Sequence, residues 1–293
     1  MSNARQRITT AAILIPIVFY LLSTPLSPLL LALLCYINLR EMYALDPWKL
    51  DPHPDPPTHT LPTSSAVAAV LGATIPYLMS VSTSHSVLLP SLVAAVLFAL
   101  HRYPSPYTPP HSQANVLFAF LCDVQVLLGY YSMNVIMLTP KFGVRTGVFL
   151  CLNCWGVDTA GLIVGKLFKK NSLNNALSST PPFSLLFTSL KKISPNKTPL
   201  GFIACVLSGP LCTLICRCIP YSSPYSESPV SLDELNVGLG LAVSCVIGDL
   251  IQSWQKRMVN AKDTGTVIRG HGGVWDRMDS MIMAATFLIV AKY

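Results

Sequence analysis

Four carboxylates, Asp249, Asp263, Asp276 and Asp279, fall within 31 residues of a chain that has only 13 acidic residues in 293. Lys256, Arg257, Lys262, Arg269 and Arg277 share that stretch, and so does His271, set in Gly270-His271-Gly272-Gly273. Acids, bases and glycines alternating this densely point to phosphate and divalent-cation chemistry. Two carboxylates meeting at neighbouring helix ends can hold Mg2+, which takes oxygen ligands and keeps positions open for water and phosphate. Glycines at 270, 272 and 273 let backbone amides come close to phosphate oxygens. A snorkelling salt bridge would satisfy one of these acids, and a plain turn would account for the glycines alone. Neither explains the combination, and a charge left unpaired inside an apolar segment costs at least about 2–3 kcal/mol. Asp249 and Asp276 are therefore the expected metal ligands.

A second polar segment runs Lys191-Lys192-Ile193-Ser194-Pro195-Asn196-Lys197-Thr198-Pro199-Leu200-Gly201. It reads either as an ordinary cytoplasmic loop or as a phosphate clamp, with Lys197 the point charge and Ser194 and Thr198 the hydroxyl donors. A further acid, Asp158, sits among small residues in Trp155-Gly156-Val157-Asp158-Thr159-Ala160-Gly161, as if lining a cavity. Asp123 stands alone and reads as structural.

The elements that must position these groups are membrane helices. Charged residues make up 11% of the chain and apolar types 52%, with a mean hydropathy of +0.52, against about 25% charged in a soluble domain. Apolar stretches at about 9–24, 27–45, 64–81, 86–100, 114–138, 143–166, 200–219, 235–254 and 274–292 approach the roughly 20 residues a spanning helix needs. The expected architecture is all-α: a polytopic membrane helical bundle of about nine transmembrane helices, with N-terminal helices in 1–140 and the catalytic part of the same membrane domain in 141–293. The first stretch lacks a small-x-small cleavage site and a second span follows at once, so it is not read as a cleavable signal. With the N-terminus cytoplasmic, only Lys141, Arg145, Arg217 and Lys292 of the 20 basic residues fall on the opposite side, as the positive-inside rule requires.

Net charge of +7 invites a nucleic-acid reading, but the basic residues form neither an arm nor an aromatic-interleaved patch. The nine cysteines lie nearly all in apolar runs and read as small packing residues; Cys151-x-x-Cys154 has zinc-like spacing without a second pair. Proline-rich 46–63 and 103–112 read as surface linkers, and His53, His59, His101 and His111 as solvated rather than ligating. No internal repeat is apparent. A transporter would show paired half-helices and an inverted repeat, and neither is found.

Ser253-Trp254-Gln255-Lys256-Arg257, Lys262-Asp263-Thr264-Gly265 and His271-Gly272-Gly273-Val274-Trp275-Asp276-Arg277-Met278-Asp279 together resemble the signature of the phosphatidate cytidylyltransferases, or CDP-diacylglycerol synthases. Gly248-Asp249-Leu250, Ser194 through Thr198 to Gly201, and Asp158-Thr159 resemble further motifs of that family. The likeness covers about residues 150–280; Leu200, Gln252, Gln255 and Arg269 depart from the family pattern.

The resemblance implies that CTP and phosphatidate react to give CDP-diacylglycerol and pyrophosphate. It implies two Mg2+ ions held by Asp249 and Asp276. Lys197, Lys262 and Arg277, with Arg257, would neutralise phosphates, while Asp263, His271 and Asp279 would orient those groups. Ser194, Thr198, Lys256, Gly272, Gly273 and Asp158 would complete the substrate contacts. Phosphatidate is already anionic, so His271 is not required as a general base. The implied partners are CTP, phosphatidate and membrane lipids, with no nucleic acid; a homodimer is compatible. The active site would face the cytoplasm, in a bacterial inner membrane or a eukaryotic endomembrane. A CTP-dependent lipid kinase is the alternative, transferring a γ-phosphoryl group to a lipid hydroxyl.

Overall fold

A computed structural model describes residues 3–24, 26–44, 113–138, 143–181, 183–220, 222–225, 228–265, 267–268 and 272–292. The expected spans 64–81 and 86–100, the linkers 46–63 and 103–112, the histidines at 53, 59, 101 and 111, the segment Arg269-Gly270-His271 and the side chain of Asp123 lie outside the described residues. The described chain is helical: α1 (Asn3–Leu22), α2 (Ser27–Ala44), α3 (Gln113–Leu138), α4 (Gly143–Leu167), α5 (Ser172–Ser179), α6 (Phe183–Ile193), α7 (Pro199–Cys218), α8 (Leu232–Met258) and α9 (Trp275–Lys292). It divides into two units, one of Met1–Val144 with Met258–Met278 and one of Arg145–Arg257 with Asp279–Tyr293.

In the first unit α2 packs on α3. Leu31, Cys35, Leu39 and Met42 form a buried stripe along α2, and Val126, Tyr130 and Met133 one along α3, each at the three-to-four-residue spacing of one helix face. Asn38 Nδ2 donates to Tyr130 Oη at 2.7 Å, with both side chains fully buried.

The second unit buries Phe149, Leu241, Ile282 and Leu288 as a soluble bundle would, but small residues set its closest helix contacts and its outward faces are also apolar. Added Cβ atoms at Gly156 and Gly161 of α4 would collide with Cys212 and Cys205 of α7. One at Gly209 of α7 would strike Gly238 of α8. One at Gly248 of α8 would strike the Asp279 carbonyl of α9 and lie 3.0–3.1 Å from Met283. Asn153 Oδ1 accepts from Thr213 Oγ1 at 3.1 Å between α4 and α7, and Cys154 meets Cys245 at 3.4 Å between α4 and α8. Meanwhile Leu207, Leu211 and Ile215 on α7, and Leu239, Val243 and Ile247 on α8, are exposed. Backbones brought together by small residues, with leucine and isoleucine turned outward, suit helices whose surroundings are lipid. Three of the described helices, α4, α7 and α8, are long and apolar enough to cross a membrane. The protein is an integral membrane helical protein.

Local sequence explains the ends. Thr198 caps α7 by accepting from Gly201 N at 3.1 Å, and Pro199 follows at a position where a missing N–H is harmless. Ser231 accepts from Glu234 N at 3.2 Å at the start of α8, and Asp233 and Glu234 favour the positive end of that helix. The buried Glu234 also pairs with Arg217 at 2.7 Å, joining the end of α7 to the start of α8.

Candidate active site

In the second unit four elements bring charge together. Lys197, in the turn before α7, reaches Asp249 Oδ2 of α8 at 2.5 Å. One turn on along α8, Ser253 Oγ donates to Asp249 Oδ1 at 3.3 Å. At the start of the α9 portion, Ser280 N donates to Asp279 Oδ1 at 2.8 Å. The Ser280 hydroxyl lies 3.1 and 3.2 Å from the two carboxylate oxygens of Asp158 on α4 and 3.4 Å from Asp279 Oδ1. Asp279 is within electrostatic reach of Asp249, Asp158 and Lys256. The close approach of α8 and α9 at Gly248 is what puts Asp249 beside Asp279.

The Lys197 turn is held from three sides. Lys169 Nζ donates to Asn196 Oδ1 at 3.2 Å. Asn174, buried on α5, donates to Phe168 O at 2.5 Å and accepts from Leu200 N at 3.0 Å. Arg257 Nε donates to Ile193 O at 3.1 Å, which makes Arg257 in part a fixture of this loop. Phe187 of α6 packs edge-on against Phe202 of α7 at 6.2 Å. Lys197 thus projects from an ordered platform rather than from a loose loop.

The first unit contains the other part of the signature. Gly272 has φ +87, a backbone that side chains disfavour, and a Cβ there would lie 2.7 Å from Asp276 Oδ2 and 3.8 Å from Asp263 Cβ. Ile268 N donates to Gly272 O at 3.0 Å. Asp276, in the first turn of α9, accepts from Thr264 N at 2.9 Å and Gly273 N at 3.0 Å. The Gly273 amide is therefore committed to Asp276 rather than left facing outward. Lys262, Asp263 and Arg277 are exposed on this unit.

Of the residues singled out from sequence, Asp158, Ser194, Lys197, Thr198, Asp249, Lys256, Arg257 and Asp279 belong to the second unit, and Lys262, Asp263, Gly272, Gly273, Asp276 and Arg277 to the first; His271 lies outside the described residues. Sequence reasoning missed Ser280, Asn174 and Glu41, and named Ser253 only within the family signature, not as a partner of Asp249. Ser253 is signalled by its place one turn after Asp249, and Glu41 by being an acid within an apolar run. Ser280 and Asn174 carry no sequence signal of their own.

The donors around Asp249 are carboxylate and hydroxyl oxygens with one amine, which suits a hard cation such as Mg2+. No cluster of three His, Cys, Asp or Glu residues arranged as a ready-made metal cage occurs among the described residues. That is compatible with Mg2+, which is held by one or two carboxylates and takes its other ligands from water and phosphate.

The sequence model of the cytidylyltransferase family matches residues 5–181 and 187–293. The phosphatidate cytidylyltransferase of Rickettsia typhi is 35% identical over 141 residues, covering 47% of this chain and 54% of its own length. That of Rickettsia bellii is 30% identical over 220 residues, 69% of this chain and 85% of its own. That of Bacillus subtilis is 28% identical over 175 residues, 59% and 57% respectively. Apart from the Rickettsia bellii enzyme, the chain spans about half the length of these relatives.

Proposed function

The chain belongs to the cytidylyltransferase family, and from that premise we propose that it joins CTP to phosphatidate, giving CDP-diacylglycerol and pyrophosphate. The observation that carries this reading is Lys197 held against Asp249, with Asp158 and Asp279 alongside, on closely packed apolar helices. A phosphate oxygen of phosphatidate attacks the α-phosphorus of CTP, the bond from that phosphorus to the β-phosphate oxygen breaks, and pyrophosphate leaves with the electron pair. The nucleophile arrives as an anion, so the chain need not remove a proton from it.

Lys197 exchanges Asp249 for the triphosphate on binding, and Lys256 adds a second positive charge. Lys262, Arg257 and Arg277 meet the remaining phosphate oxygens, assisted by the hydroxyls of Ser194 and Thr198, while Gly272 and Gly273 give the backbone room beside Asp276. Asp263, His271 and Asp279 orient these groups. Asp249 and Asp276 would hold Mg2+, two ions in all, which would neutralise charge on the phosphates when bound. About nine spans, N-terminus inside, put the site at the cytoplasmic face, where the lysines between α4 and α7 also lie; a homodimer is compatible.

Purified protein incubated with phosphatidate and α-labelled CTP tests this. Label entering the lipid fraction supports the reading. Label remaining in CDP while the lipid gains γ-phosphate would instead make the protein a lipid kinase.

A further inference from the structure

Glu41 is an acid buried to 5% exposure in the last turn of the largely apolar α2, where Arg40 precedes it and Asn38 lies one turn back. A buried carboxylate is tolerable only when its oxygens are satisfied, and here the partners come from more than 220 residues further along the chain. Oε1 accepts from Val274 N at 2.9 Å. Oε2 accepts from Trp275 N at 2.9 Å and from the Thr264 hydroxyl at 3.2 Å. Glu41 thus caps α9 from another helix, placing negative charge at the positive end of that helix.

Two glycines make room for it. A Cβ on Gly273 would collide with Glu41 Oε2 and Thr264 Oγ1, and one on Gly265 would sit 3.0 Å from Glu41 Oε1. Thr264 links this carboxylate to a second one: its hydroxyl goes to Glu41 and its N–H to Asp276 Oδ2. Gly273 N also goes to Asp276, while the next two amides go to Glu41. Every backbone group that aims Asp276 is therefore itself fixed by Glu41 or adjacent to one that is.

We propose that Glu41 is the positioning residue for Asp276, an internal template that holds Thr264 and Gly273–Trp275 in place around it. The inference rests on the reading of Asp276 as a metal ligand in the proposed reaction. It assigns to the N-terminal helices, which the signature motifs do not include, a direct part in building the site.

The test uses full-length purified protein carrying Glu41→Gln, which turns an amide N–H toward a backbone donor. Hydrogen exchange should accelerate about 10- to 100-fold in a peptide covering 272–276, as expected for losing bonds to a charged acceptor, while peptides from α7 keep parental protection. Mn2+ binding without nucleotide, followed by electron paramagnetic resonance, should weaken by about 10- to 100-fold, the usual effect of losing an outer-shell partner. Gly273→Ala, which leaves Glu41 in place but crowds it, should reproduce both changes. Parental exchange and Mn2+ binding in both variants would overturn the proposal, and so would loosening spread equally over α7, which marks a merely structural role. If the exchange and Mn2+ results hold but the parent protein transfers no label from CTP to lipid, the proposed reaction fails and the Glu41 template stands.

Discussion

Gly248→Ala is the smallest change that separates the groups of the second unit without altering any of them. The added methyl points at the Asp279 carbonyl oxygen and, at 3.0–3.1 Å, at Met283. Met283 can rotate away, but a helix carbonyl cannot, so α8 and α9 must part locally. Bringing the contact to an ordinary separation requires about 1 Å of movement, and misplacement of that size is enough to cost about 10²-fold in rate. The shift falls on Asp249, adjacent in sequence, and on Asp279 itself. Overpacking of this kind costs about 1–3 kcal/mol of stability. The matched control is Gly240→Ala, on the same helix, where the methyl meets only the edge of the Phe287 ring, a side chain able to swing aside. The assay is label transfer from α-labelled CTP to phosphatidate in detergent, with the thermal midpoint of each variant measured in parallel. Gly248→Ala should lose about 10²-fold in kcat/KM, and Gly240→Ala should stay close to the parent. Equal activity in the two alanine variants would show that the α8–α9 approach does not set the geometry of the site.

Asp249→Asn and Asp276→Asn should each abolish label transfer while the protein still inserts and purifies; full activity in either removes that residue from the metal assignment. Lys197→Gln should raise KM for CTP by about 10- to 100-fold, the range for losing a hydrogen bond to a charged group, and an unchanged KM would mean that Lys197 serves only to neutralise Asp249. Cys151→Ser, in the buried face of α4, should retain activity within about threefold, since the thiol packs as a small apolar group, and a large loss measured in the same assay would give it a chemical role.

Helices announced by long apolar runs were legible in the sequence, and their ends fell close to expectation. The expected 143–166 and 200–219 correspond to Gly143–Leu167 and Pro199–Cys218, because Thr198-Pro199 is a strong start signal. No helix is expected between the spans 143–166 and 200–219, yet Ser172–Ser179 and Phe183–Ile193 form α5 and α6. A signal was present: Phe183, Leu186, Phe187 and Leu190 recur at the spacing of one helical face, and Phe187 and Leu190 are buried.

The chemistry of 249–279 was legible as a set of residue types, but its wiring was not. Asp276 and Gly273 read as a ligand and a phosphate-facing amide; the structure bonds them to each other. Glu41 could have been flagged as a lone acid in an apolar helix, but its partners at Thr264, Val274 and Trp275 lie too far along the chain for any local pattern to reveal. Pairing across such separations is set by tertiary packing, and that packing depends on which glycines leave room, a property of three-dimensional neighbours rather than of sequence spacing.

The charges of the second unit also bear on how the proposed reaction could be accommodated in a membrane helix bundle. Lys197 is taken up by Asp249, and Asp279 lies within electrostatic reach of Asp249 and Asp158 as well as of Lys256, so this cluster is already rich in carboxylate before any substrate arrives. A nucleoside triphosphate and an anionic lipid both add negative charge, and in surroundings where each unpaired charge costs at least about 2–3 kcal/mol they would be repelled. Beyond what Lys256, Lys262, Arg257 and Arg277 supply in the proposed reaction, substrate entry is therefore eased when positive charge enters with it or when Lys197 is released from Asp249. The second route alone leaves Asp249 uncompensated beside the incoming phosphates. The arrangement consequently favours cation and nucleotide binding together over either one singly, which means that affinity for CTP should fall steeply as free divalent cation is withdrawn. CTP binding that is indifferent to divalent cation would contradict this balance of charges.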